Sequence, residues 1–219
     1  MSLKLRAPHN ERLSLELPVE TAQLGTPFNG SICAADGRPF FIEHNIIRLA
    51  ENRQSFDTLA QRSNHISITA QLYEALWRRR SISLLSGEDF SLNEEKKLLL
   101  DWTGPISGET ILDVGCSTAF YARNLQGFEP ETQTVALDLS FPMLQKAREK
   151  AITEKINLFL IQANAQQIPF FNDTFDIVAM GGTLNEVSNT IQVLTEIRRV
   201  LRPNGRFFIM YLLKSTQWL

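Results

Sequence analysis

Cysteine is nearly absent: Cys33 and Cys116 are the two among 219 residues. Two thiols fit a reducing compartment and cannot by themselves complete a structural zinc site. Long apolar runs are missing as well. No stretch approaches the roughly 18 to 20 unbroken apolar residues of a membrane span, and the polar start Met1 to Asn10 lacks the apolar core of a signal peptide. A cytoplasmic protein is therefore expected. There is no excess of either charge, with 22 basic and 24 acidic residues giving a net −2. That speaks against a general nucleic-acid binder; the local run Arg78-Arg79-Arg80 is read as a solvated helix end, with a phosphate or an acidic membrane surface as the alternative. Internal repeats and low-complexity segments are also missing.

What is present suits a soluble globular chain: 43% hydrophobic residues in a length that holds one α/β domain plus an N-terminal appendage. The organising stretch is Thr110-Ile111-Leu112-Asp113-Val114-Gly115-Cys116-Ser117-Thr118-Ala119-Phe120. A buried strand runs into an acid and a glycine-centred turn, and the following residues are compatible with a helix whose N-terminus faces the same crevice. Such a turn either binds a nucleotide-like cofactor or is an ordinary β-α connection, since Ser117 and Ala119 stand where further glycines would complete a phosphate-type fingerprint.

From residue 110 onward short apolar strands alternate with helices, the pattern of a parallel sheet covered on both faces. The expected strands are Thr110 to Val114, Thr134 to Asp138, Ile156 to Ile161, Thr174 to Met180 and Arg206 to Leu213. Ser140 caps the helix after the second strand, and Pro203-Asn204-Gly205 stops the helix before the fifth. Asp138 stands 25 positions after Asp113 at a strand end. An acid there accepts hydrogen bonds from both hydroxyls of a ribose lying across the first turn, or else only initiates a helix.

Upstream, Asp36-Gly37 between two short apolar runs signals a hairpin. The region 55 to 103 reads as helical, with Leu72, Ala75 and Leu76 on one face, Tyr73 and Trp77 beside them, and a capping box Ser91-Leu92-Asn93-Glu94 opening a second helix. Three units follow: 1–54 a β unit, 55–103 a helical cap, and 104–219 the α/β core.

Five ordered segments strongly resemble the class I S-adenosylmethionine-dependent methyltransferases: Ile111 to Cys116, Ala136 to Leu144, Ala163 to Phe170, Phe175 to Val178 and Ile197 to Gly205. The resemblance covers about residues 108 to 213 and is similar to the methyltransferase type 11 and ubiquinone-biosynthesis group. It implies a Rossmann-like, doubly wound, mostly parallel sheet, S-adenosylmethionine as cofactor, and a small or lipophilic metabolite as methyl acceptor. The alternatives are a non-catalytic binding protein of the same fold and an rRNA base methyltransferase. The cofactor-binding set it implies is Asp113, Gly115, Cys116, Ser117, Asp138, Leu139, Met143, Asn164, Ala165 and Gly181. Asp113 and the Gly115 turn would hold the methionine end, Asp138 the ribose, and Leu139 with Met143 the adenine. Asn164 stands where the family commonly has Asp. Glu186 is weighed as a base, and no catalytic residue is assigned.

The N-terminus resembles a degenerate zinc ribbon in which Leu17, Glu20 and Asp36 replace three ligands and Cys33 alone survives; it implies a hairpin unit without metal. The family fold continues past the fifth strand, whereas this chain ends six residues after Leu213. The C-terminal strands are expected to be missing, and Phe207 to Leu212 to form a hydrophobic edge covered by a partner or a further segment.

Overall fold

The structure, a computed structural model, describes residues 3–7, 10–50 and 90–211. The helical expectation for Leu72 to Trp77, the Arg78-Arg79-Arg80 run and the end of the fifth strand at Leu212-Leu213 lie outside the described residues.

Ten strands and four helices are described. The strands are β1 (Lys4–Ala7), β2 (Asn10–Glu16), β3 (Gly30–Cys33), β4 (Pro39–Glu43), β5 (Ile46–Arg48), β6 (Thr110–Val114), β7 (Gln133–Asp138), β8 (Phe159–Gln162), β9 (Phe175–Gly181) and β10 (Leu201–Met210). The helices are α1 (Leu92–Thr103), α2 (Phe120–Phe128), α3 (Phe141–Glu154) and α4 (Thr190–Val200). β1 and β2 form a separate two-stranded hairpin; the other eight strands form one sheet in the order β10-β9-β6-β7-β8-β5-β4-β3. From β10 to β5 all neighbours run parallel, and β5, β4 and β3 are antiparallel.

The chain winds outward from β6 in both directions, through β7 and β8 on one side and β9 and β10 on the other. A crevice must open between diverging connections at the C-terminal ends of β6 and β9, which is where ligands bind in such sheets. One face of the sheet carries Ala122, Leu144, Ala147 and Ala151 of α2 and α3, with Leu99 of α1 beside Tyr121 and Leu125. The other face is covered by Val193, Ile197 and Val200 of α4 and by Leu5 and Leu15 of the β1–β2 hairpin. Burial on both faces accounts for the mostly apolar sequences of β6 and β9, each interrupted by one Asp.

Local chemistry sets the ends of the helices. Ser91 and Glu94 form the capping box of α1, which Gly104 ends at φ 45°. The Ser140 hydroxyl caps α3 by accepting from the Met143 N–H. α4 stops at Val200 because Leu201 already pairs with Phe175 of β9; the Pro203-Asn204-Gly205 turn is a bulge inside β10, with Asn204 at φ 65°. The third strand begins later than expected, at Phe159, because Lys155 ends α3 in a left-handed conformation and Ile156 packs with the helices.

The hairpin at Asp36-Gly37 is present, β3 pairing with β4. Its unit does not stand apart: Ile46, Ile47 and Arg48 of β5 pair with Leu160, Ile161 and Gln162 of β8, so residues 30–48 continue the large sheet. Leu17, at a would-be ligand position, is buried in the core, while Cys33 is exposed. At the opposite border β10 is the outermost of the described strands, with Phe207 and, just after the strand, Tyr211 partly exposed. No helix among the described residues is long and apolar enough to cross a membrane.

Candidate functional site

The turn after β6 holds three left-handed residues, Gly115 at φ 65°, Ser117 at φ 52° and Ala119 at φ 59°. The backbone thus keeps a glycine conformation at two positions that carry side chains. Packing over-determines it: the Cys116 N–H donates to the Leu137 carbonyl at 3.0 Å, and the Ala119 N–H to the Cys116 carbonyl at 2.7 Å. Gly115 has no alternative, because an added Cβ would run into the Thr183 side chain, whose hydroxyl donates to the Gly115 carbonyl at 3.0 Å.

Asp138 closes β7 facing this turn. Its Oδ2 accepts from the Ser117 N–H at 2.7 Å and its Oδ1 from the Ser140 N–H at 2.8 Å. Burial pushes the Asp138 carboxyl above its ordinary value, against the opposing hydrogen bonds from Ser140, Ser117 and Leu139. The carboxylate still has lone pairs toward the crevice, which a ligand's hydroxyl groups could use.

Around this acid lies an open cleft with about 680 Å³ of free space, solvent side included. The structure brings eight of the ten expected residues to its wall: Gly115, Ser117, Asp138, Leu139, Met143, Asn164, Ala165 and Gly181. The Ser117 hydroxyl reaches the Met143 sulfur at 3.6 Å, joining the β6 turn to α3. Asn164 differs in detail from the sequence reading. Its Oδ1 accepts from the Gln166 N–H at 2.9 Å, so one of its two lone pairs is already used within the loop.

Asp113 and Cys116, the other two expected residues, lie behind the wall of the cleft. Asp113 is buried, and its Oδ2 accepts from the Ala122 N–H at 3.0 Å. There it satisfies a free donor in the first turn of α2 and complements the helix dipole. The Cys116 side chain points into the core beside Ala119, Ala122 and Leu144. Burial first, then the charges of Asp138 and Asp113, push its thiol well above the ordinary range.

Sequence reasoning did not place Ser140, Thr183 or Val187 in the wall, where the structure puts them with Glu186. The signal was available in Gly181-Gly182: the first closes β9 against the Tyr121 ring, which a Cβ would meet at 2.6 Å, and the second turns at φ 77° into the 3-10 turn Thr183–Asn185.

Comparison with known proteins agrees with this geometry. A family described as methyltransferase domain matches residues 112–209. The chain is 33% identical over 168 residues to a biotin biosynthesis bifunctional protein of Teredinibacter turnerae, covering 71% of this chain and 28% of that protein. It is 39% identical over 101 residues to a demethylmenaquinone methyltransferase of Listeria monocytogenes, covering 45% of this chain and 43% of that protein. The chain thus spans about half or less of the length of these curated relatives. Among solved structures, a SAM-dependent methyltransferase from Aquifex aeolicus superposes with a TM-score of 0.54 at 23% identity, covering 68% of this chain and 75% of that one. That likeness shares the fold. Family match, relatives and sheet order agree: residues 112–209 match the methyltransferase domain and are similar to the class I S-adenosylmethionine-dependent methyltransferases.

Proposed function

We propose that this chain binds S-adenosylmethionine in the cleft at the ends of β6, β7, β8 and β9 and transfers its methyl group to a small or lipophilic metabolite in the cytoplasm. The observation that carries the reading is the Asp138 carboxylate, fastened by Ser117 and Ser140 at the mouth of the cleft. It is set to accept from the two ribose hydroxyls. Leu139, Met143 and Ala165 supply an apolar wall suited to adenine, with Asn164 at its polar edge. Gly115 and Gly181, which admit Thr183 and the Tyr121 ring on their Cβ sides, line the cleft beside β6 and β9, where the methionine end would lie. Among the described lining residues the ionisable ones are Asp138 and Glu186, both acidic, which suits a cationic ligand. When bound, the cofactor supplies a methyl carbon activated by a positive sulfonium. The chain's own contribution is then mainly alignment of the acceptor.

The similarity to a demethylmenaquinone methyltransferase of Listeria supports a lipophilic acceptor. The test is transfer of labelled methyl from S-adenosylmethionine by the purified chain into the lipid-soluble fraction of a cell extract. Label in that fraction supports the reading. Label in RNA instead, with retention on an RNA column at low salt that is lost at high salt, would replace it with an RNA acceptor. A second reading, a binding protein without turnover, is favoured by the left-handed Ser117 and Ala119 in the cofactor turn; tight binding with no label transferred to any fraction would establish it.

A further inference from the structure

The family match begins at residue 112, yet a side chain from the N-terminal strands is linked through Gln162 to Leu139, which lines the cleft. Arg48 ends β5 opposite Gln162 of β8. Its Nε donates to Gln162 Oε1 at 3.1 Å, its Nη1 pairs with Glu43 Oε2 at 2.8 Å, and its guanidinium lies 4.7 Å above the Phe141 ring centroid. Gln162 in turn donates from Nε2 to the Leu139 carbonyl at 3.1 Å. Leu139 lines the cleft, and Phe141 opens α3 two residues later.

The connection from Asp138 to Phe141 is therefore held from both sides. Inside, the Ser140 N–H is bound by Asp138; outside, Gln162 holds the Leu139 carbonyl and Arg48 covers Phe141. Gln162 is 9% exposed, so its amide needs protein partners at both ends. An Arg carries donors alone, and it therefore decides which end of the amide is which: the oxygen must face Arg48, and the NH₂ is left for Leu139. Main-chain bonds from the Leu49 and Ala50 N–H groups to the Gln162 carbonyl, both 2.9 Å, fix the register that places Arg48 there.

We infer that Arg48 is a positioning residue for the nucleoside side of the cleft, fixing Gln162 and Phe141 and through them the backbone of Leu139. On this account the added strands β3 to β5 belong to the cofactor site. The inference rests on the proposed cofactor reading.

The test is calorimetric titration of the full chain with S-adenosylhomocysteine, together with amide hydrogen exchange. Arg48→Ala is expected to weaken binding fivefold or more and to speed exchange at residues 139–141, while α4 keeps its protection. Arg48→Lys keeps a cation over Phe141 and a donor toward Gln162, and is expected to return the affinity to within twofold of the wild type. If Arg48→Ala does not fold, Phe141→Leu removes the ring instead and carries the same expectations. A folded Arg48→Ala with wild-type affinity and unchanged exchange at 139–141 overturns this inference alone. A wild-type chain that binds no S-adenosylhomocysteine overturns the cofactor reading and this inference with it.

Discussion

The carboxylate of Asp138 accepts the backbone N–H of Ser117 at 2.7 Å, and Ser117 offers that N–H from a left-handed conformation at φ 52°. The acid at the end of one strand thus holds the turn at the end of its neighbour. Strain in the turn and shape of the cleft are coupled through this bond.

Relief of that strain is measurable. A left-handed non-glycine residue costs about 1–2 kcal/mol, and glycine returns about 0.5–1 kcal/mol of that as unfolded-state entropy. Ser117→Gly is therefore expected to raise stability by up to about 1 kcal/mol, whereas Ser117→Val, β-branched in the same conformation, lowers it by about 2 kcal/mol or more. Urea denaturation of the two variants gives the comparison.

At Gly115 the constraint is steric as well as conformational. Gly115→Ala meets the Thr183 side chain at φ 65° and is expected to cost about 2–4 kcal/mol. Thr183→Gly in the same chain removes the collision and leaves the strain. The double variant should recover about half of the loss, and a double-variant thermodynamic cycle measures it.

Tyr121 donates to Glu95 at 2.6 Å in the buried layer beneath β9 and β10. Tyr121→Phe takes a donor from a buried carboxyl and is expected to cost about 1–3 kcal/mol. Equilibrium unfolding at neutral pH reads this directly.

Acid stability should depend on Asp176 and Glu196. Burial alone would raise both carboxyls. For Asp176 the Thr110 N–H and hydroxyl and the Arg202 guanidinium outweigh it; for Glu196, Arg199, the Ile168 N–H and Arg6 do so, and both net shifts are downward. A lowered folded-state pKa gives stability that is present above the unfolded value and lost as pH falls through the folded one. The melting temperature should fall between about pH 5 and pH 2, and the fall should be shallower in Asp176→Asn.

Much of the core was legible because its strands are buried on both faces and read as apolar runs, and because capping chemistry such as Ser91 with Glu94 is local. The cleft was legible where its residues follow strand ends directly, as Gly115, Asp138 and Gly181 do. The burial of Asp113 and Cys116 was not legible for a physical reason: neighbours in sequence point to opposite sides of a turn, and burial with a helix N–H partner leaves no trace in residue type. The pairing of β5 with β8 joins positions 46–48 to 160–162, a contact no local pattern encodes. The pairing of Arg48 with Gln162 and Glu43 therefore becomes visible only with the sheet order.

The central claim is that Asp138 anchors the cofactor, and calorimetric titration of the intact chain with S-adenosylhomocysteine, beside Asp138→Ala, tests it most directly. Micromolar binding is expected, weakened at least tenfold, about 1.4 kcal/mol, in the variant. Because burial raises the Asp138 pKa, wild-type affinity should also fall on acidification with a midpoint above the ordinary aspartate value. A folded chain that binds no S-adenosylhomocysteine, or an Asp138→Ala variant that binds as tightly as the wild type, would contradict the account.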